Sequence, residues 1–342
     1  LGKGGSTGSI AGAITNNATL AVDRSGSFTM SNAVSGSGNL VKAGVGTLVL
    51  SGANNYTGAT TVAGGTLRID GNSRLGNATN ALTISNAAIF EVTAAGTLGN
   101  TITIGAGNGV LSNSSGGALV IAGAVSKNGT VFTSRSGSGT NIFTGVISGA
   151  SANSDFIVDG GTTVFSNQMT YNGPTIITNG GTLVLGTNNA TPAASGLVLG
   201  GGTLLIGDAT TRHSTTFASL TLTADSTIDM GANGGLGTLT FGDSSLISWT
   251  GILTITNWQG VAATQSEFTK LVFGSINGLT NSQLAQIQFA GFETQGGVLL
   301  GAEGELAPIP EAPVVWGAAA VTAFIFWRER RRLLGIFVRG RK

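Results

Sequence analysis

The sequence predicts an all-β fold, a β-solenoid in which short coils stack along one axis. Three observations point there. First, the phrase Gly-Thr-Leu, then any residue, then an apolar one, recurs: GTLVL from Gly46, GTLRI from Gly65, GTLVL from Gly181, GTLLI from Gly202 and GTLTF from Gly237. Gly46 to Gly65 and Gly181 to Gly202 are steps of 19 and 21 residues, a period that fits one coil. Second, apolar residues alternate within the phrase. In Thr66-Leu67-Arg68-Ile69, Leu67 and Ile69 share one strand face, and Thr66 and Arg68 share the other. Leu48/Leu50, Leu183/Leu185, Leu204/Ile206 and Leu239/Phe241 repeat the inward pair. Third, Gly and Asn cluster between these runs, where turns need positive φ. Long amphipathic helical patterns are missing before residue 280. A β-sandwich or jelly roll is the alternative all-β architecture.

A longer self-similarity reinforces the solenoid. Shifted by 115 residues, Val41 falls on Phe156, Gly46-Thr47 on Gly161-Thr162, Leu50-Ser51 on Phe165-Ser166, Tyr56 on Tyr171 and Gly58 on Gly173. One residue is then inserted, and Gly64-Gly65-Thr66-Leu67 falls on Gly180-Gly181-Thr182-Leu183. Energetics explain the repetition. The inward aliphatics of one coil bury too little area to offset the backbone entropy of ordering it. Stacked coils share ladders and a continuous interior, so each coil must match its neighbours.

Composition narrows the function classes. Charged residues make up 9% of the chain, against roughly 25% in ordinary proteins. Gly supplies 57 positions, hydrophobics reach 41% and the net charge is +1. Disorder needs few hydrophobics and high net charge, so this is a folded chain with a Thr/Ser/Asn-coated surface. The near-neutral balance argues against a nucleic-acid partner. With no cysteine, disulfides, thiolate metal sites and Cys nucleophiles are excluded. The first residue is Leu, so the expectation is that the N-terminus is missing, which makes the absence of a signal peptide uninformative.

Residues 40 to 67, LVKAGVGTLVLSGANNYTGATTVAGGTL, resemble the autotransporter-associated β-strand repeat, also called the passenger-associated transport repeat. Lys42, Gly44, Gly46, Thr47, Leu48, Tyr56, Thr57, Gly58, Gly65, Thr66 and Leu67 match its phrase. The second copy keeps Tyr171, Gly173, Gly181 and Leu183 but has Ile157 for the Lys, Asn172 for the Thr, and an insertion. The resemblance implies a right-handed parallel β-helix on the outside of a bacterium. No outer-membrane barrel follows, so a self-secreting chain is not expected.

Residues 307–342 differ sharply from the rest. Pro310-Glu311 precedes an apolar run of 14 residues, 314–327, that starts at Val314 and carries Trp316 and Trp327. As a helix it spans about 21 Å, short against a hydrocarbon core of about 30 Å. Arg328, Arg330, Arg331 and Arg332 follow and should stay cytoplasmic, which places the preceding chain across the membrane. The layout resembles the PEP-CTERM sorting tail, which implies processing by an exosortase-like enzyme and transient contact with the inner membrane. Pro310 and Glu311 match, while Ala312 departs, Pro313 arrives one residue late, and LLGIFVRGRK extends beyond the basic cluster. An ordinary short C-terminal anchor is the alternative. The chain thus divides into solenoid repeats over 1–245, a capping segment over 246–306, and the tail. Ser282 to Phe289 is expected to form a short helix with Asn281 as its cap.

Catalytic patterns are thin. Asp155 and Asp159, and Asp225 and Asp229, are spaced to share a strand face about 13 Å apart, and nothing basic stands near them in sequence, so they read as surface carboxylates. His213, the lone histidine, has Arg212 before it and no Ser or Asp motif around it, which makes it a loop residue. KAGVGT, from Lys42, lacks the ending of a phosphate loop, and its Lys reads as a coil-surface residue. GGLG, residues 234–237, departs from a Ca²⁺-binding nonapeptide because Thr238 stands where Asp is required. Tyr56 and Tyr171 read as corner-packing residues. The expectation is an exported surface or extracellular-matrix protein, structural or adhesive, with no enzyme activity, cofactor or metal. Extracellular polysaccharide or matrix is the expected partner. The alternative is a fragment of a secreted β-helix carbohydrate-active enzyme.

Overall fold

The computed structural model describes residues 1–207, 211–231, 237–260, 270–293 and 295–309. It is a parallel β-solenoid. Among the described residues the strands form sheets of ten, nine, eight, five and two strands. Almost every strand pairs in parallel with its equivalent one coil away: Leu48 lies against Leu67, and Phe132 against Phe156, 19 and 24 residues on. At the usual strand spacing the ten-stranded ladder runs about 45 Å along the axis.

The coil cross-section changes along the rod. Early coils contribute two strands to the long sheets, Asn39–Lys42 to the eight-stranded sheet and Thr47–Leu50 to the ten-stranded one, then Thr60–Val62 and Thr66–Ile69 likewise, while Ile14–Thr15 and Val34–Ser35 pair as a separate two-stranded sheet. From Leu82–Ile84 and Ala88–Val92 onward a third strand, beginning with Gly96–Leu98, founds the nine-stranded sheet. The eight-stranded sheet ends at Thr170–Tyr171, and the five-stranded sheet starts at Thr215–Phe217. The two copies of the long phrase therefore occupy different faces. Thr47–Leu50 belongs to the ten-stranded sheet, but its counterpart Thr162–Phe165 belongs to the nine-stranded one. The phrase encodes two strands and the turn between them, not a fixed side of the rod.

The inward pairs form the core. Leu48, Leu50, Leu67, Ile69, Leu183, Leu185, Leu204, Ile206, Leu239 and Phe241 are fully buried. Direct stacking accounts for the close pairs: Leu48 on Leu67 and Leu183 on Leu204. Where the coil widens to three strands, rings fill the added volume. Phe132, Phe143, Phe156, Phe165 and Tyr171 form one cluster, with Phe156 and Phe165 centroids 5.0 Å apart. The repeat-defining glycines mark where coils touch. A Cβ on Gly58 would strike the Gly38 carbonyl, and one on Gly173 would strike the Ser154 backbone, each in the preceding coil. Gly65 combines such an approach with a φ of +60°.

Parallel pairing runs on past residue 245, from Ser226–Asp229 through Leu253–Thr256 to Ile287–Phe289. A five-residue helix, Asn281–Ala285, sits between the last coils. Its cap is Thr280 rather than Asn281, because the Thr280 hydroxyl accepts from the Gln283 amide while the Gln283 side chain takes the Thr280 N–H, a reciprocal capping box. The last coils end in an antiparallel pair, Gly297–Leu300 with Glu305–Pro308, which breaks the parallel edge of its sheet. Among the described residues no helix is long and apolar enough to cross a membrane. Pro310, Glu311, Pro313, the apolar run from Val314 through Trp316 to Trp327, and Arg328, Arg330, Arg331 and Arg332 lie outside the described residues.

The aromatic cluster sets a stability test. Phe156→Ala is expected to lower unfolding free energy by about 3–5 kcal/mol in urea titration, whereas the outward Thr133→Ala should change it by less than about 0.5 kcal/mol.

Candidate functional site

Outward positions on each sheet line up into columns, because in-register parallel pairing stacks equivalent residues. On the eight-stranded sheet the column reads Thr61, Thr83, Thr103, Ser126, Ser148, Thr170. On the nine-stranded sheet it reads Thr140, Thr162, Thr182, Thr203, Thr227, Thr254. The first column floors a groove of about 880 Å³. Thr103, Ser126, Ser148 and Thr170 form its base, and the turns carrying Gly105, Asn128, Ala150 and Asn172 wall one side. The Thr103 and Ser126 hydroxyls lie 3.2 Å apart. Asn128 Oδ1 accepts from the Ser151 N–H and hydroxyl, at 3.2 and 2.7 Å, which locks its side chain at the rim.

Lys127 closes the strand Val125–Lys127 beneath this groove and is 1% exposed. Its Nζ donates to the Ser154 carbonyl and stands 4.1 Å from the Tyr171 ring centroid. Burial pushes its pKa down to about 7, with Asp155 pulling the other way. Lys42 occupies the equivalent inward position and is also 1% exposed, which corrects the expectation of a surface lysine. The reason is strand alternation: Lys42 follows Leu40 at i+2, so it points inward, and the corner carbonyls of Gly44 and Gly64 receive the ammonium. Burial lowers its pKa, opposed by Asp23.

Tyr56 and Tyr171 are fully buried at corners. Their hydroxyls reach Thr60 and Thr175, at 2.7 and 2.6 Å. Burial pushes Tyr56 up to about 12 and Tyr171 upward as well. Neither ring is available to stack on a sugar.

The paired carboxylates do face outward, but the expectation that nothing basic stands near them is overturned. Arg135 Nη2 lies 2.6 Å from Asp159 Oδ2, and Asn179 Nδ2 lies 2.7 Å from Oδ1. Burial raises Asp159, but the hydrogen bonds from Asn179 and Arg135 outweigh it and hold the carboxyl below its usual value. Asp155 is raised by burial, with Lys127 opposing. The partners come from adjacent coils, invisible to a local reading. Asp225 Oδ1 accepts from the Ile252 N–H, and Asp229 Oδ1 from the Gly231 N–H and Asn257, so both brace turns. Arg68 and Glu91 pair across coils at 2.8 Å, worth at most about 1 kcal/mol at the surface. His213 sits half-buried in a turn. Among the described residues no group of three or more His, Cys, Asp or Glu is placed to hold a metal ion.

One set of corner residues escaped the sequence reading. Asn54 Nδ2 donates to the Arg74 carbonyl at 2.7 Å, Asn80 Nδ2 to Tyr56 at 2.8 Å, and Asn100 Nδ2 to Asn80 at 2.8 Å. These buried amides staple successive corners. Their signal was there: Asn80 and Asn100 each stand two residues before a strand, at Leu82 and Ile102, one coil apart.

Lys127 yields a pH prediction. Between pH of about 7 and the ordinary lysine value of 10.5, the unfolded chain holds a proton that the folded chain has released. Stability therefore rises with pH across that window. Urea midpoints measured from about pH 6.5 to 9.5 should climb for the wild type. Lys127→Met should remove a rise on the order of a few kcal/mol and be the more stable protein at the acid end.

Comparison with known proteins agrees with this architecture. Residues 40–69 and 158–185 match the family model described as Passenger-associated-transport-repeat, and these are the segments that carry Tyr56 and Tyr171. Over 214 residues the chain is 34% identical to the Adhesin BmaC autotransporter of Brucella suis biovar 1 (strain 1330). That alignment takes in 58% of this chain but only 6% of the adhesin, so the chain spans a small part of that relative's length. No solved structure matches. Two segments of the chain are thus similar to the passenger-associated transport repeat, and both lie within the stacked coils.

Proposed function

We propose that this chain is an exported bacterial rod of the cell surface or extracellular matrix, with a structural and adhesive role and no catalytic one. The carrying observation is the unbroken register of the nine-stranded ladder between Thr140 and Thr254. It repeats one hydroxyl, from Thr140 through Thr254, at a fixed step along a nearly uncharged face. A periodic neutral face suits weak contacts that add up by multivalency. Similarity to an adhesin supports the same reading. The rod is taken to wind right-handed, as parallel crossovers almost always do.

Delivery follows from the tail. Residues 307–342 act as an exosortase-type sorting signal: Pro310, Glu311 and Pro313 mark the processing motif, the apolar run holds the inner membrane transiently, and the Arg cluster stays cytoplasmic. Support comes from the order of these segments in the sequence.

A tag placed in the exposed Gly137–Ser138 turn and a second after Lys342, followed by fractionation of the host, tests this. The internal tag should reach the cell surface while the C-terminal tag is lost. Both tags held together in the inner membrane would overturn the sorting role.

A further inference from the structure

We infer that the groove on the eight-stranded sheet binds a neutral polysaccharide strand lying along the rod axis. This names a ligand class for the adhesive reading and rests on that reading for its biological setting.

The geometry selects a linear ligand. Thr103, Ser126, Ser148 and Thr170 succeed one another in register, so the floor offers one hydroxyl per coil, about 4.8 Å apart. A pyranose ring is about as long as that spacing, so consecutive sugars meet equivalent hydroxyls. The groove volume of about 880 Å³ lies within the range of ordinary ligand sites, and the turn wall holds a chain parallel to the axis rather than across it.

The chemistry selects a neutral polyol. A hydroxyl can both donate and accept, as sugar hydroxyls do; Thr103 and Ser126 bond each other and Ser148 donates to the Val125 carbonyl, so the floor meets a ligand mainly as an acceptor of its hydroxyl protons. Asn128 and Asn172 add side-chain amides at the rim, with Asn172 Nδ2 donating one hydrogen to the Ala150 carbonyl at 2.6 Å. Asn128 engages protein through Oδ1, which leaves its amide hydrogens for a ligand. Among the described residues no Asp, Glu or Arg lines the groove, and the one cation there, Lys127, is turned beneath the floor onto Ser154 and Tyr171. An anionic polymer would find no accessible counter-charge, which argues against nucleic acid and uronate chains. An extended peptide binds by adding to a sheet edge; the strands Ile102–Ile104, Val125–Lys127 and Ile147–Gly149 are paired on both sides, and beside the last strand, Thr170–Tyr171, the Met169 N–H already donates to the Ala190 carbonyl of the next coil.

The test uses the purified full chain in mild detergent with gluco-, galacto- and manno-oligosaccharides, from disaccharide to hexasaccharide, and with heparin as the anionic comparator. Calorimetry or affinity electrophoresis should give saturable binding to at least one neutral series. Affinity should rise with chain length and change little with salt. The double variant Ser126→Lys, Ser148→Lys places bulk and charge on outward positions, and should weaken binding at least about tenfold with an unchanged urea midpoint. Thr133→Lys, outward on the ten-stranded sheet and away from the groove, should leave binding intact. Binding to no neutral series, binding to heparin alone, or equal binding by the double variant would each overturn the inference. These outcomes are independent of the two-tag experiment: a chain that reaches the surface yet binds no neutral glycan defeats the groove assignment alone.

Discussion

Backbone pairing between consecutive coils is the constraint on which the rest depends. A parallel ladder forces residue i to sit over its counterpart one coil earlier. Inward residues must then stack on inward residues, as Leu48 does on Leu67, and turn residues on turn residues. Where two turns approach too closely for a side chain, glycine follows, as at Gly58 against Gly38. Coil length itself is free within limits. Turns absorb insertions, and pairing resumes, which is why steps of 19 and 24 residues coexist between Leu48 and Leu67 and between Phe132 and Phe156.

The same constraint shapes the surface. A column of equivalent positions becomes a stripe with one chemistry, and a chain with 9% charged residues fills those stripes with hydroxyls, as from Thr140 to Thr254, or with aliphatics, as in Ile142, Val164, Val184 and Leu205. The few charges are neutralised across coils, as in Arg68 with Glu91 and Arg135 with Asp159. The cations of Lys42 and Lys127 are drawn inside, where corner carbonyls receive them. What reaches solvent is long, periodic and close to neutral. Such a face gains avidity from length rather than from any single strong contact.

Burying lysine and tyrosine at corners carries a cost that the architecture meets locally. Each Tyr hydroxyl finds a Thr four residues on, Tyr56 with Thr60 and Tyr171 with Thr175. Buried polar groups need such partners, and the corner is where turn carbonyls left out of the ladders are concentrated. The Asn staples at Asn54, Asn80 and Asn100 answer the same need.

By itself the sequence determined the period, the strand positions and the inward pairs, because alternation and turn chemistry are local properties of the backbone. It identified the five Gly-Thr-Leu phrases as equivalent strands, and the inward pair of each is interior. Tertiary structure decided which face each phrase occupies, since Thr47–Leu50 and Thr162–Phe165 lie on different sheets once a third strand enters the coil. It decided that Lys42 is interior, that Arg135 neutralises Asp159, and that four hydroxyls from four coils floor one groove. Each of these depends on neighbours about a coil away in sequence. A local reading cannot see such neighbours, and only the register of the stacked coils brings them together.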